Sequence, residues 1–565
     1  MFCLRTFWTL SVVAILSTSL RAAPPLHDQI DRLIEAQPEF KNSAAELADD
    51  ATFLRRVYLD LSGSIPNADQ VRDFLDDESP KKRRQLIDSL LSSPEHARRM
   101  QYVFDEMLME RRVGKHISSE DWQNFLRQSF QENKPWDEFV REMLTADGSD
   151  EQTRPAAKFL LDRELRMDDV SRDLGRIFLG RDLQCAQCHD HPSVDDYHQQ
   201  HYYGLMAFLK RSYLFKDPES GLTSIGEKAE GDVEFTSVFT SETDSTAPRM
   251  LDLPPLADPP AEKEPYKVKR TKTTRSVPVY SRRMKLASAM TDDANEAFRL
   301  NIANRIWALM MGRGLVEPLD MMHGENAPSH PELMKLLADS LLENKYDLRY
   351  LLRELALTKT YQRSSQGRGD RDDKPRDNKP RASNEPNNYS VGRIKPLSPE
   401  QLVVSMMKAT GAITGRPAPS AKKLSQQDAI LRKNVEAFAK VFAVAGQTTQ
   451  FDAAANQALF LRNDSLIQSW LGFKDGLVDK LLALSTEPPA DENELAEEDN
   501  LAEENDLAEE NDLAEEFYLA VFSRLPTNDE AQFVTNYLKT KKDRRDALLQ
   551  LTWAALVSVE FRFNH

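Results

Sequence analysis

The chain has 565 residues, 40% of them hydrophobic and 29% charged, with a formal net charge of −17. This length accommodates two to four folded domains, and the composition is that of a globular chain, which excludes low-complexity and fibrous classes. Fourteen acids and no bases fall between Asp491 and Glu516, so most of the acidity is local. The balance argues against nucleic acid as a partner, because a phosphate binder needs clustered Lys and Arg.

Residues 1–23 read as a signal peptide. Arg5 gives a positive start, Thr6 to Leu20 form a short apolar run, and Ala22 and Ala23 supply small residues for cleavage. The run is short for a transmembrane helix, and no later segment is long and apolar enough to span a bilayer. The expectation is an exported protein, periplasmic or extracellular, with no membrane span after cleavage; an uncleaved anchor is the alternative. An oxidising compartment permits both disulfides and covalent haem attachment.

The fold class expected is mainly α: two helical domains separated by a small β-rich insertion and a Pro-rich linker. Residues 26–210 form the first. Apolar residues recur at three- and four-residue spacing in Phe53-Leu54-Val57-Tyr58-Leu61, in Val71-Phe74-Leu75 and in Leu86-Ile87-Leu90-Leu91. Helix starts are expected after Ser64-Ile65-Pro66-Asn67, at Ser79-Pro80 and at Ser92-Ser93-Pro94-Glu95, with Ser or Asn as N-cap and Pro at the first helical position. Trp122, Phe125, Phe130, Trp136 and Phe139 supply bulky core anchors.

The most pointed chemistry lies near the end of this segment, in Cys185-Ala186-Gln187-Cys188-His189. Cys3 falls within the signal peptide, so these are the two thiols of the processed chain. Cys-x-x-Cys-His is the attachment signature of c-type haem: two thiols form thioethers with the porphyrin, and the adjacent imidazole binds iron. Cys185 and Cys188 are then the attachment residues and His189 the proximal ligand. His191 is too close in sequence to reach the opposite iron face. His198, His201 and Met206 are the distal candidates, and His198 and His201 lie three apart on a helix expected over Asp195 to Leu209. Two other readings stay open: a zinc site built from both thiolates and two imidazoles, and a structural or redox disulfide between Cys185 and Cys188.

Residues 211–282 lose helical periodicity. Alternation in Asp232-Val233-Glu234-Phe235-Thr236-Ser237-Val238-Phe239 and an extended stretch at Val277 to Tyr280 predict short strands, with a Pro-rich linker over Pro254 to Pro265. Residues 283–565 form the second helical domain, starting near Ser281, with helices at Pro331 to Leu342 and Leu348 to Thr358. Asn304, Arg305, Trp307, Arg313 and Pro328-Ser329-His330-Pro331-Glu332 are candidate site residues. The competing structural reading places Trp307 in the core, makes Arg305 a buried ion-pair partner, and lets Ser329 cap a helix with Glu332. Residues 364–388 are charge-rich, with almost no apolar residues, and predict a disordered loop; Arg368-Gly369-Asp370 within it is an accidental adhesion tripeptide. In the acidic hexapeptide repeat at 491–516, leucines fall at 495, 501, 507 and 513. A period of six turns each leucine by about 120° round a helix, so they make no stripe. The repeat therefore reads as a solvated linker or exposed helix. No glycine spaces its carboxylates into a calcium loop.

Phe53-Leu54-Arg55-Arg56-Val57-Tyr58-Leu59-Asp60-Leu61-Ser62-Gly63-Ser64-Ile65-Pro66 and Cys185 to Pro192 resemble the planctomycete cytochrome-like domain of unknown function, PSCyt type. Asn304-Arg305-Ile306-Trp307, the run from Met311 to Pro318, Pro328 to Leu333, Tyr361 to Ser365 and Phe517 to Pro526 resemble its C-terminal companion, PSD type. One departure is Ser193, where the family pattern carries an aromatic. The resemblance implies an exported protein of presumed cytochrome character and supplies no catalytic mechanism. We read the chain as a haem c protein for electron transfer, or for redox support of a periplasmic process, with an unidentified redox or protein partner. The alternative is a non-catalytic scaffold or surface-binding protein whose Cys pair is a disulfide and which holds no cofactor.

Overall fold

In Asp50–Ser62 the side chains at almost every position from Phe53 onward are buried, polar ones included. Such a helix cannot lie on a surface; it must pass through the middle of the molecule. Asp49 caps its start by accepting from Thr52 N at 2.7 Å, and Gly63 ends it in the left-handed region at φ +76°. Its apolar residues Phe53, Leu54, Val57 and Leu61 join a continuous buried cluster that runs from Leu26 to Phe561. The polar residues reach the C-terminal half. Arg55 donates to the carbonyls of Val521 (3.3 Å) and Phe561 (2.9 Å). Arg56 donates to those of Tyr361 (2.6 Å) and Arg363 (2.8 Å). Asp60 accepts from Lys395 Nζ (2.6 Å), Tyr361 Oη (2.8 Å) and Asn564 Nδ2 (3.0 Å).

The computed structural model describes residues 24–366, 388–413, 421–443, 454–484 and 499–564, apart from 39, 237, 239, 240, 242 and 261. The expected signal peptide and nearly all of the 364–388 loop lie outside the described residues. The protein is mainly α, as expected, and its sheets are all two-stranded. Among the described residues no helix is long and apolar enough to cross a membrane.

Local signals set most boundaries. Asn67 and Gln70 form a capping box on Ala68–Asp76, and Ser93 with Pro94 starts Pro94–Met109. The Ser79-Pro80 start is displaced: Lys82–Leu91 begins after Lys81, which makes no side-chain cap. Trp122, Trp136 and Phe139 are buried, and Trp136 stacks on Phe298 of the C-terminal half with ring centroids 6.2 Å apart.

The β-rich insertion is three antiparallel hairpins: Ser212–Lys216 with Thr223–Glu227, Val233–Thr236 with Thr243–Thr246, and Tyr266–Val268 with Val277–Pro278. Ser281 then caps Arg282–Met290. Pro331–Glu343 follows His330, which provides no side-chain cap. The Ser329–Glu332 capping box is therefore replaced by a bond between Ser329 Oγ and His330 Nδ1 at 3.1 Å.

Part of the acidic repeat lies outside the described residues, and Asp499–Phe522 is helical. The expectation of a wholly solvated repeat fails at its end. Leu513 is 1% exposed, and Glu516 meets Arg72 Nη2 at 2.6 Å. The apolar run that follows, from Phe517 to Phe522, drags the last repeat into the core.

Two outcomes are expected. Asp60→Ala leaves the Lys395 ammonium without its carboxylate and should cost about 3 kcal/mol. A guanidinium unfolding midpoint unchanged from wild type counts against this; Asp60→Ala with Lys395→Met should recover part of the loss. His96 is 3% exposed and its Nδ1 donates to Leu61 O at 2.9 Å. Burial pushes its pKa down to about 4, against the opposing pull of that carbonyl. The folded state thus keeps His96 neutral while the unfolded chain takes up a proton from about pH 6.5 downward. Its contribution, on the order of 3 kcal/mol, is present above pH 6.5 and lost as pH falls towards 4. Unfolding titrations of His96→Gln should show a flatter stability profile over that window than wild type.

Candidate functional site

Met167–Asp173 runs into a single π-helical turn, Leu174–Phe178, and the chain then reverses at Gly180, φ +67°. A Cβ at Gly180 would stand 2.4 Å from Met322 Sδ, so a larger residue would have to displace that side chain and also adopt a left-handed φ. Leu183 and Ala186 are fully buried and pin the next segment. Between and beyond those anchors, Cys185 and Cys188 face outward; both are free and exposed. They share one tight turn, Cys185–Gln187, in which Cys188 N and His189 N both donate to Cys185 O, at 3.2 and 3.4 Å.

Three elements hold this turn. Tyr203 Oη, from helix Gln199–Leu209, donates to Gln187 O at 2.9 Å, and the Tyr203 ring stacks on Phe235 at 4.6 Å. Val238 N, in the connection of the second hairpin, donates to Cys188 O at 3.4 Å. The loop near residue 320 closes the back: Asp182 N donates to Asp320 O (2.8 Å) and Met322 N to Gly180 O (2.9 Å).

The four clustered histidines separate by their hydrogen bonds. His189 Nδ1 lies 2.6 Å from Asp190 O. A carbonyl only accepts, so Nδ1 carries the proton and the Nε2 lone pair defines the metal-binding edge. His198 is not inside a helix as expected; it is the N-cap of Gln199–Leu209. Its Nδ1 faces Asp190 Oδ2 at 3.5 Å. Asp190 Oδ1 also accepts from Gln199 N at 2.6 Å, so one carboxylate aligns the helix start and His198. His201 is opposite in kind. Its Nδ1 accepts from His198 N (3.4 Å) and its Nε2 faces Asp252 Oδ1 (3.4 Å). Burial pushes its pKa down to about 4, so it is neutral with both nitrogens engaged. His191 Nδ1 accepts from Ser193 N at 3.2 Å and its ring meets Tyr197 edge-on, a turn-stabilising role.

The structure therefore brings His198 and His201 together, with rings 5.1 Å apart, and ranks His198 above His201 as a candidate ligand. Met206 lies three residues beyond Tyr203 on the same helical stripe and is 7% exposed. Among the described residues no three His, Cys, Asp or Glu side chains converge into a set able to hold a metal ion. Asp190 and Asp252, which orient these histidines, were not singled out in the sequence. Only the folded path reveals Asp252, since it lies beside the Pro-rich linker, some fifty residues from its partner.

The second group of candidates is structural. Trp307 is fully buried. Asn304 brackets residue 316, donating to Val316 O (2.9 Å) and accepting from Val316 N (3.1 Å). Arg305 donates to Asn301 Oδ1 (3.0 Å) and to Arg176 O (2.8 Å), while Asn301 donates to Ile177 O (2.6 Å). These bonds satisfy carbonyls of the π turn that leads into the Cys segment. His330 is buried beside Tyr389, and Arg313 is half-buried.

Residues 29–213 match the family model PSCyt2, a protein of unknown function (DUF1549), and residues 282–538 match PSD1, a protein of unknown function (DUF1553). The chain therefore carries a PSCyt2 domain followed by a PSD1 domain. No curated protein and no solved structure is significantly similar to it. The Cys185 turn lies in the PSCyt2 part, and the loop behind it, with Asn301 and Arg305, lies in the PSD1 part. The hairpins fall largely between the two matches.

The exposure of both thiols makes a chemical prediction. In protein carrying Cys3→Ala, made without haem maturation and kept reduced, Cys185 and Cys188 should both react with iodoacetamide under native conditions. Intact mass should show two adducts without denaturant; adducts that form only after unfolding would contradict the observed exposure.

Proposed function

We propose that this PSCyt2–PSD1 chain is an exported protein that carries one haem c and serves electron transfer or redox support of a process outside the cytoplasm. The observation that supports it most is the single exposed turn that presents Cys185, Cys188 and His189 together. These residues suit the group: both thiols are unpaired and accessible, and the Asp190 carbonyl sets the His189 tautomer that a ligand needs. Cys185 and Cys188 would hold the porphyrin by thioethers and His189 would bind its iron. Bound there, the group supplies one-electron chemistry.

The chain's own residues then have definite tasks. Asp190 orients His198 as the favoured distal candidate, and Asp252 keeps His201 engaged elsewhere. Tyr203, stacked on Phe235, gives the turn an aromatic flank. Leu183 and Ala186 fix the turn from beneath, so its position does not depend on the ligand. Export is supported by the N-terminal sequence pattern and by the compartment in which covalent haem attachment occurs.

Full-length protein co-expressed with haem-maturation machinery should give a pyridine haemochrome spectrum of one thioether-linked haem per chain. Cys185→Ala with Cys188→Ala should abolish it. A colourless wild-type protein whose mass is that of the polypeptide alone would overturn the proposal.

A further inference from the structure

A cavity of about 470 Å³ opens between the third hairpin, the second strand of the first hairpin and the start of Arg282–Met290, and shares no lining residue with the Cys185 turn. Its volume lies in the usual range for small-molecule sites. Four cations line it, Lys267, Arg275, Arg283 and Lys285, against two carboxylates, Asp147 and Glu227. The carboxylates are already occupied. Asp147 Oδ2 meets Arg275 Nη2 at 2.6 Å. Glu227 accepts from Arg283 N at 3.2 Å and from Ser281 Oγ, so it sits where an anion would otherwise meet the helix N-terminus.

Arg283 is spent on structure as well: its Nη1 donates to Leu144 O at 2.9 Å and to Thr145 O, ending helix Trp136–Thr145. Lys267 and Lys285 are different. Both are exposed at the cavity, and neither forms an ion pair with a described residue. The lining thus carries a net charge of +2 concentrated on two mobile ammonium groups. The positive field extends outward through Arg270 and Lys272, exposed in the loop of the same hairpin, whereas Lys269 is paired with Glu264 at 2.8 Å. Ile225, Val277, Val279 and Met284 supply the apolar part of the lining.

We propose that this cavity binds a small organic dianion, a phosphate monoester or a dicarboxylate, with Lys267 and Lys285 neutralising its charge and the apolar part of the lining taking its hydrocarbon body. Charge-assisted bonds from two ammonium groups select a dianion over a neutral molecule, and a cavity this size is underfilled by an inorganic ion. A local basic run is compatible with a net charge of −17, because fourteen of the acids are concentrated between Asp491 and Glu516.

Calorimetric titration of the full chain with phenyl phosphate and with phthalate separates the two sources of charge. Binding of either at millimolar concentrations, weakened by added salt and absent for benzyl alcohol, is the expected result. Lys267→Gln with Lys285→Gln should weaken it roughly tenfold or more, while Lys542→Gln leaves it unchanged. Both target lysines are exposed, so folding is not at risk, and a matching thermal unfolding curve verifies this. No binding of either dianion to wild type, equal binding by the double variant, or inorganic phosphate binding as tightly as phenyl phosphate would each overturn the proposal.

Discussion

The carboxylate of Asp60, 3% exposed, gathers Lys395, Tyr361 and Asn564 around one point inside the molecule. The Lys395 ammonium also donates to Leu309 O (3.1 Å) and Met310 O (2.9 Å), the last carbonyls of Glu296–Met311. One ion pair therefore joins the central helix of the PSCyt2 part, the end of a PSD1 helix and the short C-terminal strand Phe563–Asn564, which pairs with Lys395–Pro396. Burying such a pair is expensive unless all of its hydrogen-bonding capacity is met. Here the network draws on five separate stretches of chain, at residues 60, 309–310, 361, 395 and 564, and so fixes their relative placement. Burial lowers the Lys395 pKa while Asp60 opposes the shift, and burial beside Asp60 raises that of Tyr361.

The same logic explains why the residues that identify the family need not be catalytic. Arg55, Arg56 and Asp60 all spend their polar atoms on the C-terminal half. Asn301 and Arg305 do the reverse, reaching from the PSD1 part to the π turn before the Cys segment. A π turn leaves carbonyls displaced from ordinary helical partners, and such turns recur near functional sites. Here the displaced carbonyls find donors in the other half of the chain. The Cys185 turn is built on a base that neither half completes alone, which gives the PSD1 part a physical role in the PSCyt2 site.

How much of this was legible in the sequence depended on the range of the interaction. Asn67 with Gln70, Ser93 with Pro94, and Ser281 act within a turn of their own position, and their helix starts were readable. Ser79 failed because a bend intervenes before Lys82, and Ser329 failed because its hydroxyl serves His330. The hairpins were readable as alternation, but not that Val238 N would reach Cys188 O. At the site, spacing identified Cys185, Cys188 and His189 but gave His198 and His201 equal standing. Their difference rests on Asp190, a neighbour in sequence, and on Asp252, a neighbour only in space. Net charge, which averages over the whole chain, carries no information on the basic run from Lys267 to Arg275.

These pieces assign different mechanical characters to the two sites. The Cys185 turn is fixed on every side but one: Leu183 and Ala186 beneath, Tyr203 and the hairpin connection beside it, and the loop at Asp320 and Met322 behind. A group attached there would change its charge without the chain having to move, because the supporting bonds run through main-chain carbonyls and amides. On the haem proposal, that anchoring would keep reorganisation at the level of the backbone low, as electron transfer requires. The cavity beside Lys267 and Lys285 is the opposite, with its buried ionic groups mutually satisfied and two long cationic chains left in solvent. Such chains gain order only when a ligand arrives, so binding there must overcome their rotamer entropy, and only a ligand that engages both ammonium groups repays that cost.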